Sequence, residues 1–161
     1  MLAKSDTSIS SIIKIFKTYG VRCSFLVPTK TGLNKAIMDA GSSLRQFLSD
    51  NKIHNYEAQK TGPENKIIIS GYFVYEDKIE ETKISLYRPN TKSGDPRIWL
   101  SNLKTYAKPF NLLALTFLNK KIYIINSSNK ELISSLTDSN SSLRKIFSDA
   151  SESLSEVAEE L

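Results

Sequence analysis

The chain has 161 residues, which is enough for one domain or for one domain with a short appendage. Hydrophobic residues make up 40% of it and can supply a core, so the chain is not a disordered protein, a collagen or a coiled-coil rod. One cysteine, Cys23, and one histidine, His54, exclude an internal disulfide, a zinc site of cysteines or histidines, and a catalytic triad that needs a second histidine. The formal net charge is +5, and neither a membrane span of ~20 apolar residues nor an apolar leader is present, which predicts a cytoplasmic protein.

The first predicted elements are a helix and a strand. Isoleucine and phenylalanine residues recur at helical spacing between Ser5, a suitable N-cap, and Gly20, which ends the helix. Residues 21–27 alternate in polarity and predict a strand that Pro28 closes. The polar residues 28–40 predict a loop.

A second helix and a hairpin come next. Apolar residues on one helical face predict a helix from Ser42 or Ser43 to about Asn51, and residues 53–66 predict a loop with Gly and Pro breakers. Residues 66–75 and 82–87 are typical of two strands, and the acidic residues 76–81 between them predict the turn of a hairpin.

The remaining predicted strands are short and apolar. A polar loop is predicted over residues 88–96, and an extended segment over residues 97–100. A brief helical turn follows, with Ser101 or Asn102 as its cap. Residues 112–118 and 121–126 predict a tight hairpin through Asn119 and Lys120. The order of elements predicts an α+β fold, with a curved antiparallel sheet or open barrel and flanking helices.

The end of the chain differs in charge from the rest. Residues 138–161 carry a net charge of −4 and residues 1–137 carry +9, while residues 82–130 hold nine basic residues and one acid, Asp95. A serine-rich acidic helix from about Ser141 predicts a linker over 138–161, toward a domain that the chain does not contain. The basic body predicts a polyanionic partner, or lysines that only keep a small domain soluble; charge alone does not choose between the two.

The densest polar segment covers residues 87–99. It combines three cations with Asn, Thr and Ser between two predicted strands. Arginine reads guanine by a bidentate contact, asparagine reads adenine, and lysine and serine hold phosphates. The alternative is a surface loop in which Asp95 pairs with Arg88 or Arg97 and Trp99 lies in the core.

Two further segments contain residues of these types. Residues 28–35 resemble a phosphate-binding loop only superficially, since the order G-x-x-x-x-G-K-[ST] is absent, and a turn leading into a short helix is the favoured alternative. In residues 55–60, Tyr56 is able to stack, Gln59 to contact a base and Lys60 to contact a phosphate; an exposed loop is the alternative.

An active site within the chain is the less favoured interpretation. Glu57 and Lys60 loosely match the acid and lysine of metal-dependent nucleases, but no upstream aspartate lies in a suitable strand. Cys23 lies in an apolar strand and is interpreted as a small buried residue.

Two segments resemble a known family. The sequences VPTKTGLNKAIMDAGSSLRQFLSDNKIHNYEAQKTGPENK and SLYRPNTKSGDPRIWLSNLKTYAKPFNLLAL are similar to the accessory N-terminal region of MvaI/BcnI-type restriction endonucleases. In related EcoRII-like enzymes such a region is an effector domain that binds a copy of the target DNA with a B3-like pseudobarrel fold. The resemblance covers about residues 21–130.

The resemblance implies a double-stranded DNA-recognition domain over residues 1–137 that positions or activates a separate nuclease domain. It implies no catalytic residue, metal or cofactor here, and Mg²⁺ only for that absent domain. The DNA-binding residues that it implies, together with the reasoning above, are Lys30, Thr31, Asn34, Gln59, Lys60, Arg88, Asn90, Lys92, Ser93, Asp95, Arg97 and Lys104. A nuclease in its own right and a protein-interaction module that docks through its terminal helix are the alternatives.

Overall fold

Seven strands form one sheet that curls into a half-barrel, and a few short helices accompany it, in the computed structural model of the chain. The structure describes residues 14, 22–75, 78–126 and 128. This architecture confirms the predicted α+β class with a curved sheet and flanking helices.

Every predicted strand has a counterpart in the sheet. The strands are β1 (Cys23–Leu26), β2 (Ile37–Asp39), β3 (Ile67–Tyr75), β4 (Lys78–Tyr87), β5 (Arg97–Leu100), β6 (Leu113–Leu118) and β7 (Lys121–Asn126). The helices are α1 (Lys30–Lys35), α2 (Ser42–Asp50) and α3 (Leu103–Tyr106), and 3₁₀ turns span Tyr56–Ala58, Pro63–Asn65 and Lys92–Gly94.

The strand order leaves β1 and β2 at the two edges of the sheet. It runs β1-β6-β7-β3-β4-β5-β2, and all neighbours are antiparallel except β3 and β7. In the curled sheet, α1 connects the end of β1 to the start of β2, and α2 contacts β1 directly after β2 ends. The chain therefore crosses from one edge to the other twice within residues 27–50.

The core lies on the concave side of the sheet. Leu86 of β4, Ile98 and Leu100 of β5 and Leu103 of α3 have no exposed surface. Gly71 of β3 belongs to the same packing, because a Cβ atom there would overlap the side chain of Ile84 on β4. A larger residue at position 71 would require the Ile84 side chain to move.

The hairpin between β6 and β7 confirms its prediction in detail. Asn119 and Lys120 both have positive φ angles, of 52° and 65°, as a two-residue type I′ turn requires. The helix α2, the strand β5 and the brief helix α3 also confirm their predictions; Asn102 occupies the N-cap position of α3, although its side chain makes no capping hydrogen bond.

Two predicted connections are wrong. Residues 28–40 are not a loop but contain α1 and β2, and the turn at residues 76–81 is shorter, since β4 already begins at Lys78. A short helix is the alternative given above for residues 28–35, although Gly32 is unfavourable for helix formation. Its role is steric: a Cβ atom there would lie 3.1 Å from the carbonyl oxygen of Ile37 and 3.2 Å from Thr29 Oγ1.

Apart from Lys14, the helix predicted between Ser5 and Gly20 lies outside the described residues, as do the helix predicted from about Ser141 and the linker at 138–161. Among the residues that are described, no helix has the length and apolar character to cross a membrane.

Candidate nucleic-acid interface

A groove separates the two edges of the half-barrel. It has a volume of about 480 Å³, and residues from both edge strands line it. Its walls consist of Phe25, Leu26, Val27, Thr29, Thr31, Gly32, Lys35, Ile37, Met38, Asp39, Gly41, Ser43, Leu44 and Arg97. We call this cleft the edge groove. It brings together Thr31 and Arg97, two predicted site residues that lie 66 positions apart in the sequence.

Helix α1 presents the residues of the first predicted segment. Thr29 caps it, since Thr29 Oγ1 accepts a hydrogen bond from the Gly32 amide at 3.0 Å. Thr31 and Lys35, one helical turn apart, line the edge groove, whereas Lys30 and Asn34 are exposed on the neighbouring face. The alternative of a turn leading into a short helix describes the local structure correctly.

Arg97 is held in place at the start of β5. Its Nη1 lies 2.6 Å from Asp39 Oδ1, across the pairing of β2 with β5, and its side chain is 20% exposed. Tyr56, which is buried, donates its hydroxyl hydrogen to the Arg97 carbonyl oxygen at 2.9 Å. Among the described residues, Asp39 is the only partner of the guanidinium, so further N–H donors remain for a ligand.

The Tyr56 hydroxyl is suited to this purely structural bond. Burial, together with the neighbouring Tyr87, raises the pKa of Tyr56 well above its ordinary value, while Arg45 lowers the pKa by a smaller amount. Tyr56 therefore stays a neutral donor at all physiological pH values, and the backbone of Arg97 stays fixed.

Arg88 has a different environment from Arg97. Its Nε donates to the Gly94 carbonyl oxygen at 2.8 Å, and its Nη1 donates to the Gln59 carbonyl oxygen at 3.0 Å and, at 3.4 Å, to that of Tyr56. The side chain thus joins the loop before β5 to the 3₁₀ turn at Tyr56–Ala58. Arg88 does not pair with Asp95, as the surface-loop alternative expected; the ion pair of Arg97 is with Asp39 instead.

Gln59 is buried and its amide is fully engaged. Nε2 donates to the carbonyl oxygens of Asn65 and Leu86, each at 2.9 Å, so Oε1 is the acceptor for His54 Nε2 at 3.0 Å. This fixes the His54 proton on Nε2. In this structure, the base contact predicted for Gln59 would require these bonds to break.

The other predicted residues are distributed over the surface. Asn90, Ser93 and Asp95 are exposed in the loop between β4 and β5, and Lys92 begins its 3₁₀ turn. Lys60 is exposed and lines a separate cleft of about 680 Å³ beside His54. Lys104 lies on α3, beside a cleft of about 260 Å³.

Two charged residues of the edge groove, Lys35 and Asp39, were absent from the predicted set. Lys35 follows the predicted Thr31 by one helical turn, so the helical spacing of residues 31 and 35 is the signal that could have found it. Asp39 carried no local signal, because its role depends on the pairing of β2 with β5.

The stretch of the sequence that forms the sheet is basic. Residues 22–128 contain sixteen Lys and Arg and nine Asp and Glu, a net charge of +7. Among the residues that the structure describes, no three His, Cys, Asp or Glu come close enough together to hold a metal ion.

Comparisons with models of protein families, with curated proteins and with solved structures found no match for this chain.

Proposed function

We propose that the chain is a double-stranded DNA-recognition domain that contacts the duplex along the rim of the edge groove. The observation that carries this proposal is Arg97, whose guanidinium is oriented by Asp39 and retains unused donors at the groove. A planar guanidinium fixed in this way suits the bidentate acceptor pair of guanine in the major groove.

The charge around Arg97 supports a polyanionic ligand. Lys35 lines the same groove, Lys30 is exposed on the neighbouring face of α1, and residues 22–128 carry a net charge of +7. In this proposal the lysines and Thr31 contact phosphates and set the position of the protein, while Arg97 and the exposed Asn34 and Asn90 contact base edges. Arg88 and Gln59 support the loops from within.

The finer assignment follows the family resemblance. We propose that the domain acts in the cytoplasm as the effector part of a type II restriction endonuclease, whose separate nuclease domain uses Mg²⁺. The alternatives are a nuclease active in this chain and a protein-interaction module. Neither is favoured by a contact among the described residues.

The test begins with selection of bound duplexes from a randomised library, followed by titration of the selected duplex at several salt concentrations. We expect log K, the logarithm of the association constant, to fall linearly with log salt concentration. The slope should be about −0.9 for each phosphate that the protein neutralises. Arg97→Ala should weaken specific binding by about 1–3 kcal/mol, and Arg97→Lys, which keeps the charge, should not restore it.

Three results would contradict the proposal. They are the failure of selection to enrich any duplex, equal binding by the Arg97→Ala variant, and cleavage of DNA by the purified chain with Mg²⁺ that persists after removal of contaminating nucleases. The last result would support the nuclease alternative.

A further inference from the structure

Phe110 is the most exposed large apolar side chain among the described residues, at 70%. It is also the third residue of the four-residue turn Lys108–Asn111, in which Pro109 is the second residue. Its φ angle is +66°, the left-handed region that the third position of a type II turn requires. Glycine or asparagine normally occupies this position, so a phenylalanine there is strained and gains no burial in return.

Four hydrogen bonds hold the turn in this strained conformation. The Asn111 amide donates to the Lys108 carbonyl oxygen at 3.1 Å, and the Lys108 amide donates to Asn111 Oδ1 at 2.8 Å. Asn126, which is buried at the end of β7, donates to the same Oδ1 at 3.0 Å. The Phe110 amide donates to the Pro28 carbonyl oxygen at 2.8 Å. The surrounding structure thus fixes an exposed aromatic ring at the tip of a rigid turn.

The position of the turn connects it to the edge groove. Pro28 follows Val27, which is 51% exposed and lines the groove. The Phe110 backbone and the exposed Val27 therefore lie close together where β1 ends and the chain continues into α1, and we call this region the apolar patch.

The surroundings of this patch are cationic and polar. Lys104 and Lys108 line the cleft of about 260 Å³ directly beside the turn, together with Thr105, Asn111 and Ser128. Two ammonium groups, hydroxyls and amides are the side-chain types that contact DNA phosphates. The combination of an exposed aromatic ring with flanking lysines fits a nucleic acid, which offers base steps and phosphates side by side.

We propose that Phe110 is an apolar wedge that inserts at a base step of the bound duplex, while Lys104 and Lys108 hold the adjacent phosphates. This inference rests on the proposed function. It adds a second DNA contact, near the end of α1 that follows β1 and not the end that leads into β2. Insertion of such a side chain partly unstacks the step and bends the duplex by about 20–90°.

The decisive variant is Phe110→Gly, because it removes the ring and relieves the strained φ angle together. We expect the full chain with this change to unfold at a temperature about 3 °C higher than the unmodified chain. It should bind the selected duplex about tenfold more weakly, with the same salt dependence, since no phosphate contact is lost. Bending, measured by energy transfer between dyes at the two ends of a short duplex, should disappear.

Ile68→Ala is the matched control. Ile68 is 62% exposed and lies on β3, outside the turn and outside the edge groove, so its removal should change neither affinity nor bending. Phe110→Ala, which removes the ring but keeps a strained non-glycine residue, should lose bending without the gain in stability.

Each remaining outcome counts against the wedge. If Phe110→Gly bends and binds the duplex like the unmodified chain, the wedge is wrong while DNA recognition stands. If the unmodified chain binds no duplex, both proposals fail. If Phe110→Gly instead loses binding to vesicles of phosphatidylserine and phosphatidylcholine, the patch is a membrane contact and the wedge is likewise overturned.

Discussion

Arg88 and Arg97 lie at the two ends of the loop between β4 and β5, but their side chains have different roles. Arg88, with the buried Gln59, donates its hydrogen bonds to backbone carbonyl oxygens of neighbouring loops. Arg97 makes one ion pair, with the largely exposed Asp39. Residue type is therefore a poor guide to a binding site. The two regions differ in how many side-chain N–H donors are engaged in hydrogen bonds within the protein.

Replacement of Gln59 by leucine should have the largest effect on stability. The change leaves the carbonyl oxygens of Asn65 and Leu86 without their donor and His54 Nε2 without its acceptor, all in or near the core. We expect the free energy of unfolding to fall by about 3 kcal/mol, measured by urea denaturation. Lys60→Ala, at the exposed neighbouring position, is the control and should change it by less than about 0.5 kcal/mol.

Arg88→Met and Arg97→Met test the comparison directly. Arg88→Met removes three hydrogen bonds to carbonyl oxygens and should lower the free energy of unfolding by about 2 kcal/mol. Arg97→Met removes one partly exposed ion pair and should cost less than about 1 kcal/mol, but it should weaken DNA binding. If the two variants lose equal stability, the distinction between the two regions does not hold.

Asp39→Asn tests whether Arg97 needs to be oriented. The change keeps a hydrogen-bond acceptor and removes the charge that holds the guanidinium. Specific binding should weaken by about 1 kcal/mol, while binding to unrelated duplexes should strengthen slightly because a negative charge is lost. The measurement is the ratio of the two affinities at one salt concentration; an unchanged ratio would show that orientation by Asp39 is unimportant.

Lys35→Gln should have a smaller effect that is visible in the salt dependence. If Lys35, which lines the edge groove, neutralises one phosphate, the slope of log K against log salt concentration should decrease by about 0.9. Lys78→Gln, at the start of β4, is exposed but does not line the groove, and it should leave the slope unchanged. Equal slopes for both variants would exclude Lys35 from the interface.

Cys23 should produce the smallest effect, at alkaline pH. Burial raises the pKa of its thiol from 9.0 to about 11, so the folded state favours the neutral thiol. Because the folded pKa lies above the unfolded value, this contribution to stability is fully present below pH 9 and is lost between about pH 9 and pH 11. Comparison with Cys23→Ala at pH 8 and pH 10.5 should show a steeper loss for the unmodified chain; parallel losses would contradict the shift.

Much of the fold was predictable because its signals are local. Alternating polarity predicted β1, and Asn119 with Lys120 predicted the tight hairpin. The short helix α1 matches the alternative given for residues 28–35, whereas β2 was missed, because this three-residue strand depends on its pairing with β5.

The candidate site was only partly predictable. Of the polar segment at residues 87–99, Arg97 lies at the groove. The assignment of Arg88 and Gln59 to base contacts differs from their observed bonds, because a sequence does not reveal which carbonyl oxygens need a buried donor.

The sequence by itself determined the α+β class, the curved sheet, the positions of most of its strands except β2, and the basic character of the chain, because these depend on periodicity, turn residues and composition. Only the tertiary structure decided which polar groups face a ligand. Curling of the sheet brings its two edges to one groove, pairing of β2 with β5 places Asp39 beside Arg97, and hydrogen bonds to Pro28 and Asn126 fix the turn that exposes Phe110. Each of these depends on contacts between residues far apart in the chain, which local sequence patterns do not record.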